Sequence, residues 1–520
     1  MAKILKWTDA LSQTFRQKSG DWVVNRQEVK KYHFPSNIPN YVAEYLFSYK
    51  NEDKVHNETH AALLNDLILS CRPQKDEITQ FLDSAIQDGS ARLFESLDVE
   101  VSVAENKHWA HLPLINQRVS VNRELVQVRH PELLKRPMWG ILTLGYHTPD
   151  TKDGKLIQKG AFEVTEFLPI ETASANPLGL TKGFAKIAKL SEQGEADPYT
   201  IWFQILLATM FRNPETVDFS DEEHFTEFLN YLTRLAPLIE TNVSLIEMGP
   251  PGTGKTSGFT QHSPYAMAVP CKNITRAKMF YDQNRRSEGA LSHFDCLAID
   301  DIQIPEGWKN IDELMPSLMG YLNPGVIGEI RIPPYIGRAD CSVAFLGNTS
   351  GGSAMEDTVE YFKNVPKTMR EPQFLERING FIDGTTVRKI TNPWDGLALQ
   401  GDIFGRLLYE IRRNPDVTPN FRQWFKEPHV QYSNVSERCR FGIVKLSAAL
   451  LKLMWPLYTQ PSLKSAKPQE PPRQLLETIL RHTIKLRQNV RRLIARADGY
   501  QPDPEVNYKK DIKFTWTKEQ

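Results

Sequence analysis

Hydrophobic and polar positions change period several times along the 520-residue chain, and each change marks a new kind of element. Up to about residue 90 the spacing is helical. The run Ile38-Pro39-Asn40-Tyr41-Val42-Ala43-Glu44-Tyr45-Leu46 opens an amphipathic stretch with a proline near its start. From about 91 to 172, alternation and β-branched residues take over, as in Leu97-Asp98-Val99-Glu100-Val101-Ser102-Val103 and Trp139-Gly140-Ile141-Leu142-Thr143-Leu144. Asp153-Gly154 follows the second run as a hairpin signal, and the segment predicts a small β-barrel or sandwich. Asn176-Pro177 comes next, and helical periodicity resumes to about 240.

Between 241 and 395, strand-like and helical runs alternate, the pattern of a parallel α/β sheet. A helical segment follows to about 460. A proline-rich linker, Gln460 to Pro472, then leads into one long basic helix and a strand-like Ile512-Lys513-Phe514-Thr515-Trp516. The expected domains are thus 1–90 helical, 91–172 β-rich, 173–240 a helical connector, 241–395 an α/β core, 396–460 a helical lid, and 461–520 the linker, basic helix and terminal strand.

Composition narrows the class only modestly. With 40% hydrophobic and 24% charged residues and a formal net charge of +0, the chain is an ordinary globular protein, which argues against coating of nucleic acid by its whole surface. No apolar run reaches the length of a membrane span, and Met1-Ala2-Lys3 leads into no signal-peptide core, so a cytoplasmic protein without a membrane partner is expected. Cys71, Cys271, Cys296, Cys341 and Cys439 have no paired spacing and are expected as buried thiols.

The chemistry is concentrated in the α/β stretch. The apolar run Val243-Ser244-Leu245-Ile246-Glu247-Met248 enters Gly249-Pro250-Pro251-Gly252-Thr253-Gly254-Lys255-Thr256, a complete phosphate-binding loop. Glycines let backbone N–H groups turn inward around phosphates, a lysine reaches the β- and γ-phosphates, and a threonine hydroxyl ligates magnesium. ATP and Mg2+ are therefore the expected ligands. Pro264 limits the following helix to about two turns. Phe294-Asp295-Cys296-Leu297-Ala298-Ile299 ends in Asp300, the expected metal-side carboxylate, and Asp301, where a water-activating acid belongs. That second acid is normally a glutamate, and aspartate is one methylene shorter. A third run, Cys341-Ser342-Val343-Ala344-Phe345-Leu346-Gly347, ends in Asn348, placed to sense a γ-phosphate; taken alone, such a residue is more often part of a turn.

With these three strands in place the sequence resembles the AAA+ superfamily and, more narrowly, the BrxL family, Lon-like ATPases of BREX phage-defence systems. Segments that carry the resemblance include Ser263-Pro264-Tyr265, Thr275-Arg276-Ala277-Lys278-Met279-Phe280-Tyr281 and Phe374-Leu375-Glu376-Arg377-Ile378-Asn379-Gly380-Phe381. Ile38 to Leu46, Trp139 to Leu144, Ser447 to Leu453 and Val506-Asn507-Tyr508 extend it over most of the chain. The resemblance implies a P-loop parallel-sheet core with a helical lid, preceded by a helical N-terminal domain and a β-rich, OB-like domain. It implies that Arg377 is an arginine finger reaching a neighbour's γ-phosphate, that Arg440 is a sensor arginine of the lid, and that the chain assembles into a ring, hexameric or stacked. Two departures stand out: Asp300-Asp301 replaces the family's Asp-Glu, and no Lon-protease-like domain or serine–lysine dyad context follows the lid, so peptidase activity is not expected.

For a partner, DNA is expected, with other defence proteins beside it. In ring helicases a hairpin at the position of Gly328 to Arg338 points into the pore, which makes Arg331 and Arg338 candidates; Arg276 and Lys278 form a weaker pair. The C-terminal helix carries Arg473, Arg481, Lys485, Arg487, Arg491, Arg492 and Arg496, read either as the solvated face of a docked helix or as a phosphate contact. The leading expectation is an ATP-driven ring motor acting on DNA in phage defence. The alternatives are a protein unfoldase and a weakly hydrolysing, nucleotide-gated scaffold.

Overall fold

A computed structural model describes residues 23–32, 34, 38–48, 70–102, 105–134, 136–152, 155–169, 198–217, 221–284, 287–303, 308, 310–323, 328–349, 355–413, 421–455, 470–497, 500 and 506–517. The expected Asp153-Gly154 turn, the Asn176-Pro177 break and most of the 460–472 linker lie outside the described residues. The chain divides into two compact units, one comprising Val24–Ser174 with Tyr281–Gly289 and the other Met1–Val23, Ala175–Phe280 and Ala290–Gln520.

In the first of these, helix α1 (Asn40–Ser48) buries Tyr41, Val42, Ala43, Leu46 and Phe47. Its Glu44 forms a buried ion pair of 2.7 Å with Arg26. Helix α2 (Ile78–Gln87) lays Ile78, Phe81 and Leu82 on a β-sheet core. The strands are β1 (Ser90–Leu97), β2 (Val99–Ser102), β3 (Lys107–Leu112), β4 (Gln117–Val121), β5 (Met138–His147) and β6 (Ala161–Pro169), in the order β1-β5-β6-β4-β3-β2. All pairs are antiparallel except β4 with β6. Since only Asp98 separates β1 from β2, these are two halves of one bent strand, and the two ends of the sheet belong to the same stretch of chain. The result is a five-stranded, OB-like barrel topology. Its inward residues follow from period-two alternation: β5 reads alternately buried and half-buried from Met138 to Gly145. The sequence suggests a separate helical domain ahead of the barrel, but α1 and α2 belong to the barrel unit. A short strand pair, Tyr281–Asp282 with Ser287–Glu288, joins it too; two-residue strands are too short to leave a periodic signal.

The second unit contains α3 (Pro198–Thr209), α4 (Glu222–Ile239) and a five-stranded parallel sheet. Asp221 caps α4 through the N–H of His224 at 2.9 Å. The strands are β7 (Ser244–Gly249), β8 (Ala266–Pro270), β9 (Cys296–Asp300), β12 (Ser342–Asn348) and β13 (Gly380–Asp383), in the order β8-β9-β12-β7-β13. Between β9 and β12 stands a separate hairpin, β10 (Glu329–Ile332) with β11 (Tyr335–Arg338). The central strands are buried along almost their whole length, which is why they read as near-continuous apolar runs. Among the connecting helices, α5 (Ser257–Thr260), α6 (Arg276–Met279) and α8 (Pro372–Leu375) are single turns, whereas α7 (Ile311–Tyr321) runs 11 residues.

Beyond the sheet, α9 (Gly401–Arg413), α10 (Glu437–Met454) and α11 (Arg473–Ala495) form the helical layer. It is not purely helical as expected. Strand β14 (Val430–Ser433) interrupts it and pairs antiparallel with the terminal strand β15 (Lys513–Trp516), whose strand character the sequence does signal. A four-residue strand whose partner lies far along the chain leaves no local signature. The five cysteines are buried free thiols. No helix among the described residues is long and apolar enough to cross a membrane.

Candidate functional site

Parallel pairing brings the chemistry-bearing residues together. Gly249 at the end of β7 registers with Asn348 at the end of β12, and Ile299 of β9 registers with Phe345 of β12. The loop, the acidic pair and the amide therefore share the carboxyl ends of three adjacent strands, where open α/β sheets bind ligands. Gly252 and Gly254 have φ of +82° and +75°, a left-handed region that side-chain-bearing residues rarely adopt. A Cβ on Gly254 would also come within 2.7 Å of Ile390 Cδ1. The helix after the loop is a single turn, shorter than the two expected, so its dipole adds little and the loop N–H groups and Lys255 supply the positive field.

Lys255 is buried, and its Nζ donates to the carbonyls of Gly249 at 2.9 Å and Pro250 at 2.8 Å. Burial lowers its pKa and Arg234 adds to that, while Glu247, Asp300 and Asp301 oppose it. Thr256 Oγ1 donates to Asp300 Oδ2 at 2.5 Å, so the hydroxyl and carboxylate expected to share a cation's shell already touch. This pair suits magnesium, which takes one or two protein oxygens and completes its shell with water and phosphate. Among the described residues no cluster of three His, Cys, Asp or Glu side chains forms a dedicated metal cage.

Asp301 adopts φ +60°, with its N–H donating to Asp300 Oδ1 at 2.8 Å and its carbonyl accepting the Cys271 thiol at 3.3 Å. Asn348 Nδ2 and Gln303 Nε2 each donate to Asp301 Oδ1 at 3.4 Å, and Asn348 N–H donates to Gln303 Oε1 at 3.0 Å. Gln303 completes the polar network and was not singled out from the sequence.

Behind the loop lies a second set of residues the sequence reading missed. Arg234 of α4 donates Nη2 and Nε to the buried Glu247 at 2.5 and 3.0 Å, and Nη1 to the Thr253 carbonyl at 2.8 Å. Arg212 Nη2 donates to the same carbonyl at 2.7 Å, and its guanidinium stacks 4.1 Å from the Tyr231 ring. Burial lowers the Arg212 pKa to about 10, which leaves it charged at neutral pH. Two guanidinium groups thus hold the loop from outside. A glutamate inside an otherwise apolar strand is the available signal, because a buried carboxylate demands a cationic partner.

The remaining expected residues stand apart from the loop. Arg377 follows α8, is half-buried, and donates Nε to Met319 O at 2.9 Å and Nη1 to Gln373 O at 2.5 Å. Arg440 opens α10, pairs with Glu437, and lines a cleft of about 330 Å³ together with Arg422, Lys426 and Lys445. No hydrogen bond or ion pair among the described residues joins either arginine to its own chain's loop, so the reading of Arg440 as a lid sensor gains no contact within one chain. Arg331 and Arg338 lie exposed on the β10–β11 hairpin, with Arg331 paired to Glu329 at 2.8 Å. In α6, Lys278 is exposed and Arg276 half-buried.

The phosphate-contact reading of the basic C-terminal helix fails for two of its arginines. Arg487 and Arg491 are fully buried. Arg487 donates Nη2 to Glu376 O at 3.1 Å, Nη1 to Ile378 O, and Nε to Cys439 Sγ at 3.2 Å. Arg491 donates to the carbonyls of Asn434 and Asn507 at 2.8 and 2.5 Å. Both act as internal ties. On β3 of the barrel, half-buried Trp109 has the Arg118 guanidinium 4.4 Å and the Lys107 ammonium 5.7 Å from its ring, an aromatic–cation cluster that was not apparent from the sequence.

Comparison with known proteins matches this arrangement. The chain is 21% identical to a Lon-like protease BrxL of Bacillus cereus (strain H3081.97) over 84% of its own length and 61% of that protein. It is likewise 21% identical to a Lon-like protease BrxL of Escherichia coli O9:H4 (strain HS), over 84% of its length and 59% of the relative. It therefore spans about three-fifths of the curated relatives it matches. Among solved structures, a full-length MCM homolog from Methanopyrus kandleri aligns over 77% of this chain and 78% of that one, at 12% identity and a TM-score of 0.40. Residues 18–146 match the N-terminal domain of the BREX system Lon protease-like protein BrxL, and residues 182–504 match the ATPase domain of the Lon-like protease BrxL-like family. That second match covers more than half of the chain and contains the whole candidate site: the chain belongs to the BrxL-like family.

Proposed function

We propose that this chain is the motor part of a ring ATPase that binds ATP with Mg2+ and couples its hydrolysis to binding or remodelling DNA in BREX-type phage defence. One observation carries the reading: Lys255, the Thr256–Asp300 pair and the Asp301–Gln303–Asn348 network meet at the carboxyl ends of three neighbouring parallel strands. Thr256 and Asp300 would hold the magnesium ion, which neutralises phosphate charge when bound. The loop N–H groups and Lys255 orient the phosphates, and Asp301 with Asn348 faces the attacking water.

Arg377 supports the ring. Among the described residues no hydrogen bond or ion pair joins it to its own loop, and an arginine finger acting on a neighbour's γ-phosphate is worth roughly 10³–10⁵ in kcat. Arg440, in the first turn of α10, is the candidate sensor arginine that reads the nucleotide from the lid. DNA is supported by the exposed Arg331 and Arg338 on one hairpin and by Trp109 with Arg118 and Lys107 on the barrel. Measuring the ATPase rate with and without DNA, alongside the oligomer mass, tests the reading. DNA stimulation in a ring-sized species is expected, and failure to bind any DNA at low salt refutes the DNA part.

A second reading rests on Ile336, which is 74% exposed opposite Arg331 on the same hairpin. An apolar hairpin residue suits gripping a polypeptide, as in an unfoldase. Unfolding of a model substrate would favour it, and its absence across several substrates would count against it.

A further inference from the structure

The proposed hydrolysis has a weak point at Asp301, where the carboxylate is one methylene, about 1.5 Å, shorter than glutamate. Asp301 sits at φ +60°, a conformation costing on the order of 1–3 kcal/mol for a non-glycine residue, held by its N–H bond to Asp300 and its carbonyl bond to Cys271. The carboxylate therefore cannot advance by a backbone shift without breaking these ties. Two residues on, Gln303 bridges Asp301 and Asn348. Its Oε1 holds the Asn348 N–H at 3.0 Å, and its Nε2 lies 3.4 Å from Asp301 Oδ1.

We propose that Gln303 is a further catalytic residue, whose amide orients the attacking water and supplies the reach that Asp301 lacks. This rests on the hydrolytic reading above. A primary amide is suited to the task, because Oε1 has a second lone pair for a water proton and Nε2 a second hydrogen for the water or γ-phosphate oxygen. A glutamine plays this water-orienting part in GTPases. In the step itself the water oxygen bonds to the γ-phosphorus as the bond from that phosphorus to the β–γ bridging oxygen breaks. The electron pair leaves on ADP, and the water proton passes to a γ-phosphate oxygen and leaves with the released phosphate.

The test compares kcat, KM for ATP and ADP binding for the full chain as wild type, Gln303→Ala, Asp301→Glu and the double variant. Gln303→Ala is expected to lower kcat on the order of 10- to 100-fold, with KM and ADP binding changed less than about threefold. In the Asp301→Glu background, where the carboxylate reaches the water itself, the same alanine is expected to cost less than about threefold. Equal losses in both backgrounds, or a Gln303→Ala kcat within about twofold of wild type, overturn the assignment and leave hydrolysis intact. A wild type that binds ATP without hydrolysing it overturns the hydrolytic reading and this assignment with it. Should the alanine variant not fold, Gln303→Met decides. It keeps the side-chain length but removes the amide's donor and acceptor, and is expected to lower kcat about 10-fold or more with KM and ADP binding changed less than about threefold; a kcat within about twofold of wild type overturns the proposal.

Discussion

Replacing Arg487 with alanine separates a structural tie from a nucleic-acid contact. The guanidinium is fully buried and serves the carbonyls of Glu376 and Ile378, the two residues that flank Arg377. Its removal leaves both carbonyls without this donor, at about 1–3 kcal/mol each, and opens a cavity beside them. The expected destabilisation is therefore roughly 3–6 kcal/mol, a fall in melting temperature on the order of 5 °C or more. Arg492→Ala on the exposed side of the same helix provides the control and is expected to stay within about 0.5 kcal/mol of wild type. Denaturant melts of the two variants, paired with DNA titrations at several salt concentrations, form the assay. If Arg487 contacted phosphate instead, its loss would leave the melt unchanged and reduce the salt slope of DNA binding by about one. An Arg487→Ala melt superimposable on wild type would rule out Arg487 as an internal tie.

Other outcomes follow from the same contacts. Glu247→Ala strands the buried Arg234 charge behind the loop and is expected to cost about 3–5 kcal/mol in stability and to weaken nucleotide binding; an unchanged melt would count against the tie. Burial lowers the Lys445 pKa to about 7. With the folded value below the unfolded one, its protonation cost is full below pH 7 and fades as pH rises towards about 10.4. Lys445→Met is therefore expected to flatten the rise of stability between pH 7 and 10, read by denaturant titration at each pH. Trp109→Ala is expected to weaken single-stranded DNA binding by about 1–3 kcal/mol in a fluorescence titration while the barrel stays folded; unchanged affinity would remove that face from the DNA reading.

The strands and the loop were legible because their signals are local. Apolar runs mark buried parallel strands, and the spacing of Gly252, Gly254, Lys255 and Thr256 is set by phosphate geometry within one turn of chain. Asp300 and Asn348 stand out because each ends such a run. Gln303 was not legible, because its bond to Asn348 forms only when pairing sets β12 beside β9. Arg234 and Arg212 depend in the same way on where α4 and the end of α3 pass behind the loop. In the C-terminal helix Leu476, Ile479, Leu486, Val490 and Leu493 recur at helical spacing and are all buried, as such a stripe demands. Arg487 and Arg491 violate that pattern, since a long cation can sit inside wherever backbone carbonyls await a donor, and nothing local announces those carbonyls.

In the proposed ring one chain's loop is completed by another chain's Arg377, and mixing two inactive variants probes that sharing. Lys255→Ala removes the loop's cation but leaves the finger, whereas Arg377→Ala does the reverse. Each alone is expected to hydrolyse almost no ATP. Equal mixing in a ring should pair an intact loop with an intact neighbouring finger at about a quarter of the sites, and restore activity in proportion. Restoration towards that level supports the shared site, and a mixture of exchanging, correctly assembled subunits that stays as inactive as its components contradicts it.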